Sequence, residues 1–244
     1  MKRILLLVLV IMNICVLAQS KPESGTDVIR MMKEKFNNKY LENFTFAQYI
    51  KEYKDGELTN ETVWHEAYSF PNHLIIKFDS FESGNGYIFK NDSIYVMNEN
   101  KISFSGDYLH YLIILGFEVY EDSLESTVSK LTENGYDMSK VYESELKGRP
   151  VYVVGTENDN KNRNRFYIDR ETLCFLKTIR YNEELEVSME FTDYKMIKGK
   201  YIATKVLFYE GGKLVMTEEY FNMNFPNSID HSIFNPKNFE KSRW

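Results

Sequence analysis

Short segments that alternate apolar and polar residues, with turn signals between them, make up most of this 244-residue chain. Alternation with a period of two is typical of half-buried strands, and short polar turns between such segments indicate hairpins. One turn is Asp55-Gly56, a pair that favours a tight hairpin loop. One face of the segment before it carries, in order, Phe44, Phe46, Gln48 and Ile50. The spacing predicts about ten or eleven antiparallel strands between residues 44 and 222.

Three segments have the pattern of a helix instead. Residues 24–40 begin with capping-box spacing, and their apolar residues lie four apart on one face. Residues 108–117 are almost wholly apolar, and this length suits a buried helix and is too short for a membrane span. A third helix is predicted to begin at Asp122 and to stop at Asn134 and Gly135.

An antiparallel sheet this wide is expected to coil into a barrel or half-barrel. We therefore predict a mostly β fold with α-helices (α+β): a half-open antiparallel β-barrel whose helices cover or plug the concave side. No linker or internal repeat interrupts the pattern, so residues 19–244 are predicted to form one domain. The candidates for lining a hydrophobic ligand-binding cavity are Phe44, Phe46, Ile50, Trp64, Tyr68, Phe70, Leu112 and Leu115.

The segment 64–70 alternates with one polar exception on its apolar face. That face carries, in order, Trp64, Glu66, Tyr68 and Phe70. Because three of these four residues are aromatic, we expect this face to point toward the concavity or core. Glu66 is the exception, and we expect it near the rim.

Residues 1–18 have the features of a secretory signal peptide: a basic start, an apolar stretch, and small residues before the expected cleavage point. Cys15 follows Ile14, where a lipid anchor would need a small residue, so we expect a soluble exported protein. The remaining chain has 28 basic and 36 acidic residues, a formal charge of −8, which argues against nucleic acid as a partner. Cys174 is its only cysteine, and its apolar neighbours predict a buried thiol.

No motif in the sequence indicates a metal site, a cofactor or a nucleophilic catalyst. The four histidines share no metal-ligand spacing, and there is no G-x-S-x-G sequence. Asp230-His231-Ser232 has the residue types of a triad, but adjacent residues cannot converge as a triad does, so a polar turn is predicted. We expect no catalytic residue, no metal and no cofactor.

Two carboxylates in one turn, Asp169 and Glu171, leave one catalytic alternative open. Asp at the first position of a turn is typical of capping by its side chain, and this interpretation is favoured. The alternative is a hydrolase in a β-rich scaffold, in which this pair would act on an ester or glycan.

Several segments resemble the periplasmic lipoprotein-carrier superfamily of LolA, LolB and RseB. They are "FTFAQYI", the strand from Trp64 to Pro71 and Leu74, "NDSIYVMN", "FYIDRETLCFLKT", "FTDYKMIKGKYIATKV" and the terminal "SIFNP". Together they cover most of residues 26–236. The resemblance implies a half-open barrel with a helical lid, no catalysis, and a concavity that holds acyl chains of a lipid or lipoprotein. The family's basic residue before the strand proline is replaced here by Phe70.

Two binding functions are therefore predicted for an expected monomer. The first is a non-enzymatic carrier of lipid or lipoprotein acyl chains, of the outer-membrane lipoprotein-sorting type. The alternative is an RseB-like sensor or interaction protein that binds a lipid or an envelope membrane protein. RseB itself has a second C-terminal domain, and we expect that layout to be absent here, because Trp244 follows soon after the Phe234–Pro236 motif.

Overall fold

The computed structural model describes residues 21–36, 40–158 and 162–244, so the expected signal peptide lies outside the described residues. Within them, fifteen strands are present, and thirteen belong to one antiparallel sheet. The strands are β1 (Asn43–Lys54), β2 (Glu57–Ser69), β3 (His73–Phe78), β4 (Gly86–Lys90), β5 (Ser93–Asn98), β6 (Lys101–Asp107), β7 (Val141–Leu146), β8 (Arg149–Val154), β9 (Arg165–Asp169), β10 (Phe175–Asn182), β11 (Leu185–Thr192), β12 (Lys195–Ile197), β13 (Lys200–Ile202), β14 (Lys205–Glu210) and β15 (Lys213–Asn224). The helices are α1 (Gly25–Phe36), α2 (Tyr111–Gly116) and α3 (Leu124–Glu133), with 3-10 turns at Glu118–Tyr120, His231–Phe234 and Pro236–Lys241.

Two meanders, joined at the centre, form the large sheet. Its strand order is β6-β5-β4-β3-β2-β1-β15-β14-β11-β10-β9-β8-β7, so the first and the last strands of the chain pair with each other. In the described part of the chain the sheet does not close, because β6 and β7 form its two edges. This is the predicted mostly β, half-open architecture.

The strand count exceeds the predicted ten or eleven. One reason is the segment 195–210, where β12 and β13 form a separate two-stranded hairpin before β14. The break after β13 falls at Thr204, whose backbone N–H donates to Thr192 O and whose hydroxyl donates to Asp193 O. These bonds hold the chain between the β12–β13 hairpin and β14, whereas the sequence alone predicts one strand from 201 to 210.

Helix α1 begins as its capping box predicts. The backbone N–H of Asp27 donates to Ser24 Oγ at 3.2 Å, and that of Ser24 donates to Asp27 Oδ2 at 3.0 Å. The predicted end of this helix includes residues 37–39, which lie outside the described residues.

The helical connection between β6 and β7 lies over the concave side of the sheet. Helix α2 is shorter than predicted because residues 108–110 are not helical. Its Ile113, Ile114 and Leu115 are buried in one cluster with residues from α1 and from the centre of the sheet. The cap of α3 is one residue later than predicted, since Ser123 Oγ accepts from the Ser126 N–H at 3.0 Å.

The outer face of the sheet has its own apolar cover. Ala67, Ile75 and Ile88 are buried there against the C-terminal 3-10 turns, which contribute Phe234 and Phe239. The burial of Ala67 on this face and of Tyr68 on the other confirms the predicted alternation of β2.

Candidate ligand-binding cavity

A cavity of about 400 Å³ lies between the concave face of the sheet and α2. Apolar and aromatic side chains from both meanders and from the helical connection line it: Phe46, Trp64, Leu74, Ile76, Tyr87, Phe89, Ile94, Tyr108, Tyr111, Leu112, Ile113, Phe117, Met189, Phe191, Val206, Phe208, Met216 and Tyr220. Tyr108 is 40% exposed and so marks a side on which the cavity approaches solvent. The volume falls within the range of about 300–1,000 Å³ that is typical of small-molecule sites.

Four polar side chains also line the cavity: Gln48, Glu66, His110 and Glu218. Three of them come from neighbouring strands at the centre of the sheet, β1, β2 and β15. Gln48 pairs directly with Trp64 on one side and with Tyr220 on the other. Because Phe46 pairs with Glu66 and Ile50 with Glu218, the two glutamates flank Gln48 diagonally on the same face.

These three polar side chains are buried, and no other described side chain pairs with them. Gln48 is 2% exposed, Glu66 4% and Glu218 8%. The Oε1 atom of Gln48 has no hydrogen-bond partner among the described residues. In the part of the chain that the structure describes, neither glutamate carboxyl group has a hydrogen-bond or ion-pair partner. An unsatisfied buried polar group is costly, so this cluster needs an explanation beyond packing.

Burial sets the protonation of the two carboxyl groups. It raises the pKa of Glu218 to about 8. It also holds the pKa of Glu66 well above its usual value, and the nearby Glu218 adds to that shift. At neutral pH both groups are therefore largely neutral and can donate as well as accept hydrogen bonds.

His110 closes the opposite wall as the N-cap of α2. Its Nδ1 accepts from the Ile113 N–H at 3.4 Å, which leaves the ring proton of the neutral imidazole on Nε2. Burial lowers the pKa of His110 to about 4, so the ring is uncharged at neutral pH. Its ring meets Phe89 edge-on at 4.5 Å between centroids.

The residues expected to line a ligand cavity fall into two groups. Phe46, Trp64 and Leu112 line it. The other five are absent from the lining and belong to the surrounding core: Phe44, Ile50, Tyr68, Phe70 and Leu115. Alternation identifies which face of a strand points inward. It does not predict which part of that strand is covered by the helices and which part lines the cavity. Ligand binding by any of these residues stays a prediction.

Two outcomes on the polar residues differ from expectation. Glu66 does not lie at the rim; it is buried in the cavity wall because the sheet continues beyond it on both sides. Glu218 is not among the predicted site residues. Its signal is the alternation of Met216, Glu218 and Tyr220 along one face, but the pairing of β15 with β1 that brings it to Gln48 is not encoded locally.

The turn between β9 and β10 does not form a carboxylate pair. Asp169 Oδ1 accepts from the backbone N–H of Glu171 at 2.9 Å and of Thr172 at 2.7 Å, while the Glu171 residue is exposed. The predicted capping role of Asp169 is thus confirmed. Cys174 is buried as predicted, and burial raises the pKa of its thiol to about 11.

The Asp230-His231-Ser232 sequence forms the predicted polar turn. Asp230 Oδ1 accepts from the Ser232 N–H at 2.9 Å, at the start of a 3-10 turn. His231 Nε2 lies 3.1 Å from Ser69 Oγ, but that hydroxyl donates to Asn43 Oδ1 at 2.9 Å. A serine whose proton is held by an amide oxygen is not activated as a nucleophile. Among the described residues no group of His, Cys, Asp and Glu is arranged to hold a metal ion.

No family model matches the sequence, and no curated protein matches it. Three solved structures are similar over nearly their whole length. One is a DUF1329 family protein from Desulfovibrio piger, 14% identical, with a TM-score of 0.56 over 86% of this chain and 95% of that one. One is a LolA superfamily protein from Nitrosomonas europaea, 12% identical, with a TM-score of 0.56 over 85% and 97%. The third is a putative outer membrane lipoprotein-sorting protein domain from Vibrio parahaemolyticus, 13% identical, with a TM-score of 0.55 over 88% and 98%.

The chain has a LolA-like fold. This confirms the architecture that the sequence motifs imply, and at these identities it concerns the fold alone. Within the described ranges, the helices are all too short or too polar to cross a membrane.

Proposed function

We propose that this protein is an exported, non-enzymatic binder and carrier of an amphiphile with an acyl chain, of the lipoprotein-sorting type. Residues 19–244 would form a single lipid-binding domain after removal of the signal peptide, and the ligand would be a lipid or the acyl chain of a lipoprotein. The observation that carries the proposal is the cavity on the concave face, whose lining is dominated by aromatic and aliphatic side chains.

The energetics of burial support an acyl chain as the ligand. Each methylene removed from water contributes about 0.8 kcal/mol, so a chain of modest length gains affinity without a specific polar motif. Met189 and Met216 lie on the lining and offer flexible side chains that adapt to a mobile chain. The fold similarity to a lipoprotein-sorting protein domain is consistent with this ligand class.

The direct experiment is lipid uptake by the protein after organic delipidation. We expect lipid to copurify from the native host, to be identified by mass spectrometry, and to be replaced by a fluorescent fatty-acid probe after delipidation. A pull-down with the loaded protein would separate the carrier from the sensor. A carrier recovers lipoproteins and their release machinery, and a sensor recovers a transmembrane signalling partner.

A cavity-filling variant tests whether the lipid probe binds in this cavity. Met216→Trp places a larger side chain in the lining, so we expect probe affinity to fall about tenfold or more while the fold is retained. Met196→Trp is the matched control, because Met196 is 68% exposed on β12 and absent from the lining. Equal affinity of both variants and of the parent protein, or no uptake of any probe by the parent, would refute the proposal.

A further inference from the structure

Within the proposed carrier function, the buried polar cluster indicates where the head group of the ligand lies. We propose that the cavity receives a cationic head group, a protonated amine or a quaternary ammonium, against the carboxyl groups of Glu66 and Glu218. The proposal rests on the carrier function and adds the chemical class of the ligand. It reverses the simplest expectation, in which only the acyl chain is buried.

The geometry of β1, β2 and β15 supports this assignment. The two carboxyl groups flank Gln48 on one face of three adjacent strands. The side-chain oxygens of these three residues accept no hydrogen bond from another described residue. The Gln48 side chain, almost fully buried and with a free Oε1, lies in the cavity wall. Together they present carbonyl and carboxyl oxygens to the space where a ligand would lie. Such oxygens can accept hydrogen bonds from an N–H group or stabilise a positively charged nitrogen.

The surrounding rings favour a cation over a neutral donor. Trp64 and Tyr220 are the direct cross-strand neighbours of Gln48, and Phe46 is that of Glu66. Aromatic faces attract ammonium groups, more strongly in a desolvated site. None of the described residues that line the cavity is Lys or Arg, so none of these lining side chains supplies a cation at this position.

Protonation of the carboxyl groups makes this binding pH-dependent with a definite sign. A permanent cation favours the ionised form of a carboxyl group. Because the pKa values of Glu66 and Glu218 are raised in the protein without ligand, binding of the cation at neutral pH releases protons from these two groups. Affinity is therefore expected to rise as the pH increases from about 6 to about 9. The other titratable groups on the lining are His110, which stays neutral in this range, and the tyrosines Tyr87, Tyr108, Tyr111 and Tyr220.

The experiment compares amphiphiles that share one chain and differ in head group. Dodecyltrimethylammonium, dodecanol and dodecyl sulfate, each at a concentration at which it is monomeric, displace an uncharged fluorescent lipid probe from the delipidated protein at pH 6 and pH 9. We expect dodecyltrimethylammonium to bind at least about tenfold more tightly than dodecyl sulfate at pH 9, with a smaller preference at pH 6.

Matched variants assign the preference to the cluster. Glu66→Gln/Glu218→Gln should remove the head-group preference and its pH dependence while dodecanol still binds, which also shows that the cavity is intact. Glu57→Gln/Glu219→Gln changes exposed glutamates on the same two strands and should keep both effects. Equal binding of all three head groups, or a preference that survives the inner double variant, would overturn this inference and leave the carrier function standing. Failure of every amphiphile to bind would overturn both.

Discussion

A single carboxylate organises the turn between β9 and β10. Asp169 accepts two backbone N–H groups with one oxygen, and its other oxygen lies 3.8 Å from Arg149. The side chain is buried in this role, so it serves the fold and is not available to a substrate.

We expect Asp169→Ala to lower the free energy of unfolding by about 1 kcal/mol, as for other lost local caps. Glu171→Ala, in the same turn but exposed, should change it by less than about 0.5 kcal/mol. Urea unfolding of both variants measures the difference. A hydrolytic activity toward an ester or glycan that disappears in these variants would instead restore the hydrolase interpretation.

The buried glutamates give the protein a pH-dependent stability. An unfolded glutamate titrates near pH 4.5, whereas Glu218 titrates near 8 in the folded state and the pKa of Glu66 is also raised. Between these values the folded state holds more protons than the unfolded state, so stability is complete below about pH 4.5 and falls as the pH rises toward 8.

Unfolding of the ligand-free protein should show this loss directly. Relative to Glu66→Gln/Glu218→Gln, the parent should lose up to about 1.4 kcal/mol per pH unit for each group across this window. Glu57→Gln, an exposed control, should follow the parent curve. Parallel curves for parent and double variant would mean that the carboxyl groups are solvated in the folded protein.

At the scale of elements, the helical connection from β6 to β7 is held in place by Lys130, which pairs with two acidic side chains. Glu118 accepts from Lys130 Nζ at 3.2 Å and from the backbone N–H of Asn72 at 2.6 Å. Lys130 also donates to Asp122 at 2.9 Å. These bonds join α3 and the 3-10 turn to the loop before β3, beside the cavity wall formed by α2.

Lys130→Met should destabilise the protein by about 3–5 kcal/mol, because it leaves Glu118 buried without its cation. Glu118→Gln/Lys130→Met keeps an acceptor for Asn72 and removes the stranded charge, so it should recover much of the loss. Urea unfolding of the two variants tests this order. A double variant no more stable than the single one would show that the pair matters for its geometry and not for its charge.

Local patterns predict the elements well where the deciding contacts are close in sequence. Helix α1 follows from its Ser24–Asp27 cap, and the β1–β2 hairpin follows from Asp55-Gly56, both of which have positive φ. The hairpin β12–β13 is not predictable in this way, because its separation from the sheet depends on bonds from Thr204 to residues before it. The place of Glu218 in the cavity wall is not predictable from local sequence either, because its neighbours on β1 come from the other end of the chain.

At the scale of the whole molecule, the concave face and part of the outer face of the sheet are covered, by different means. The concave side is covered by the helices, with a cavity left between them and the sheet, and the outer side of β2–β5 is packed by the C-terminal 3-10 turns. Alternation in the sequence predicts a sheet with an apolar inner face. It cannot predict which part of the concavity stays empty, since that depends on the volumes of side chains brought together from all three layers.

The pairing of β1 with β15 has a consequence for how the chain reaches this state. Thr45 pairs with Asn224, so the centre of the sheet joins residues from almost opposite ends of the described chain. Closing so long a loop has an entropic cost that arises before the stabilising contacts form. Folds with high contact order therefore acquire their structure slowly. Each meander can form hairpins as it is synthesised. The part of the cavity wall formed by β1, β2 and β15 can form only after β15 has been synthesised. In a chain of this topology, the central strand pairing between β1 and β15 is therefore expected to form only after β15 has been synthesised.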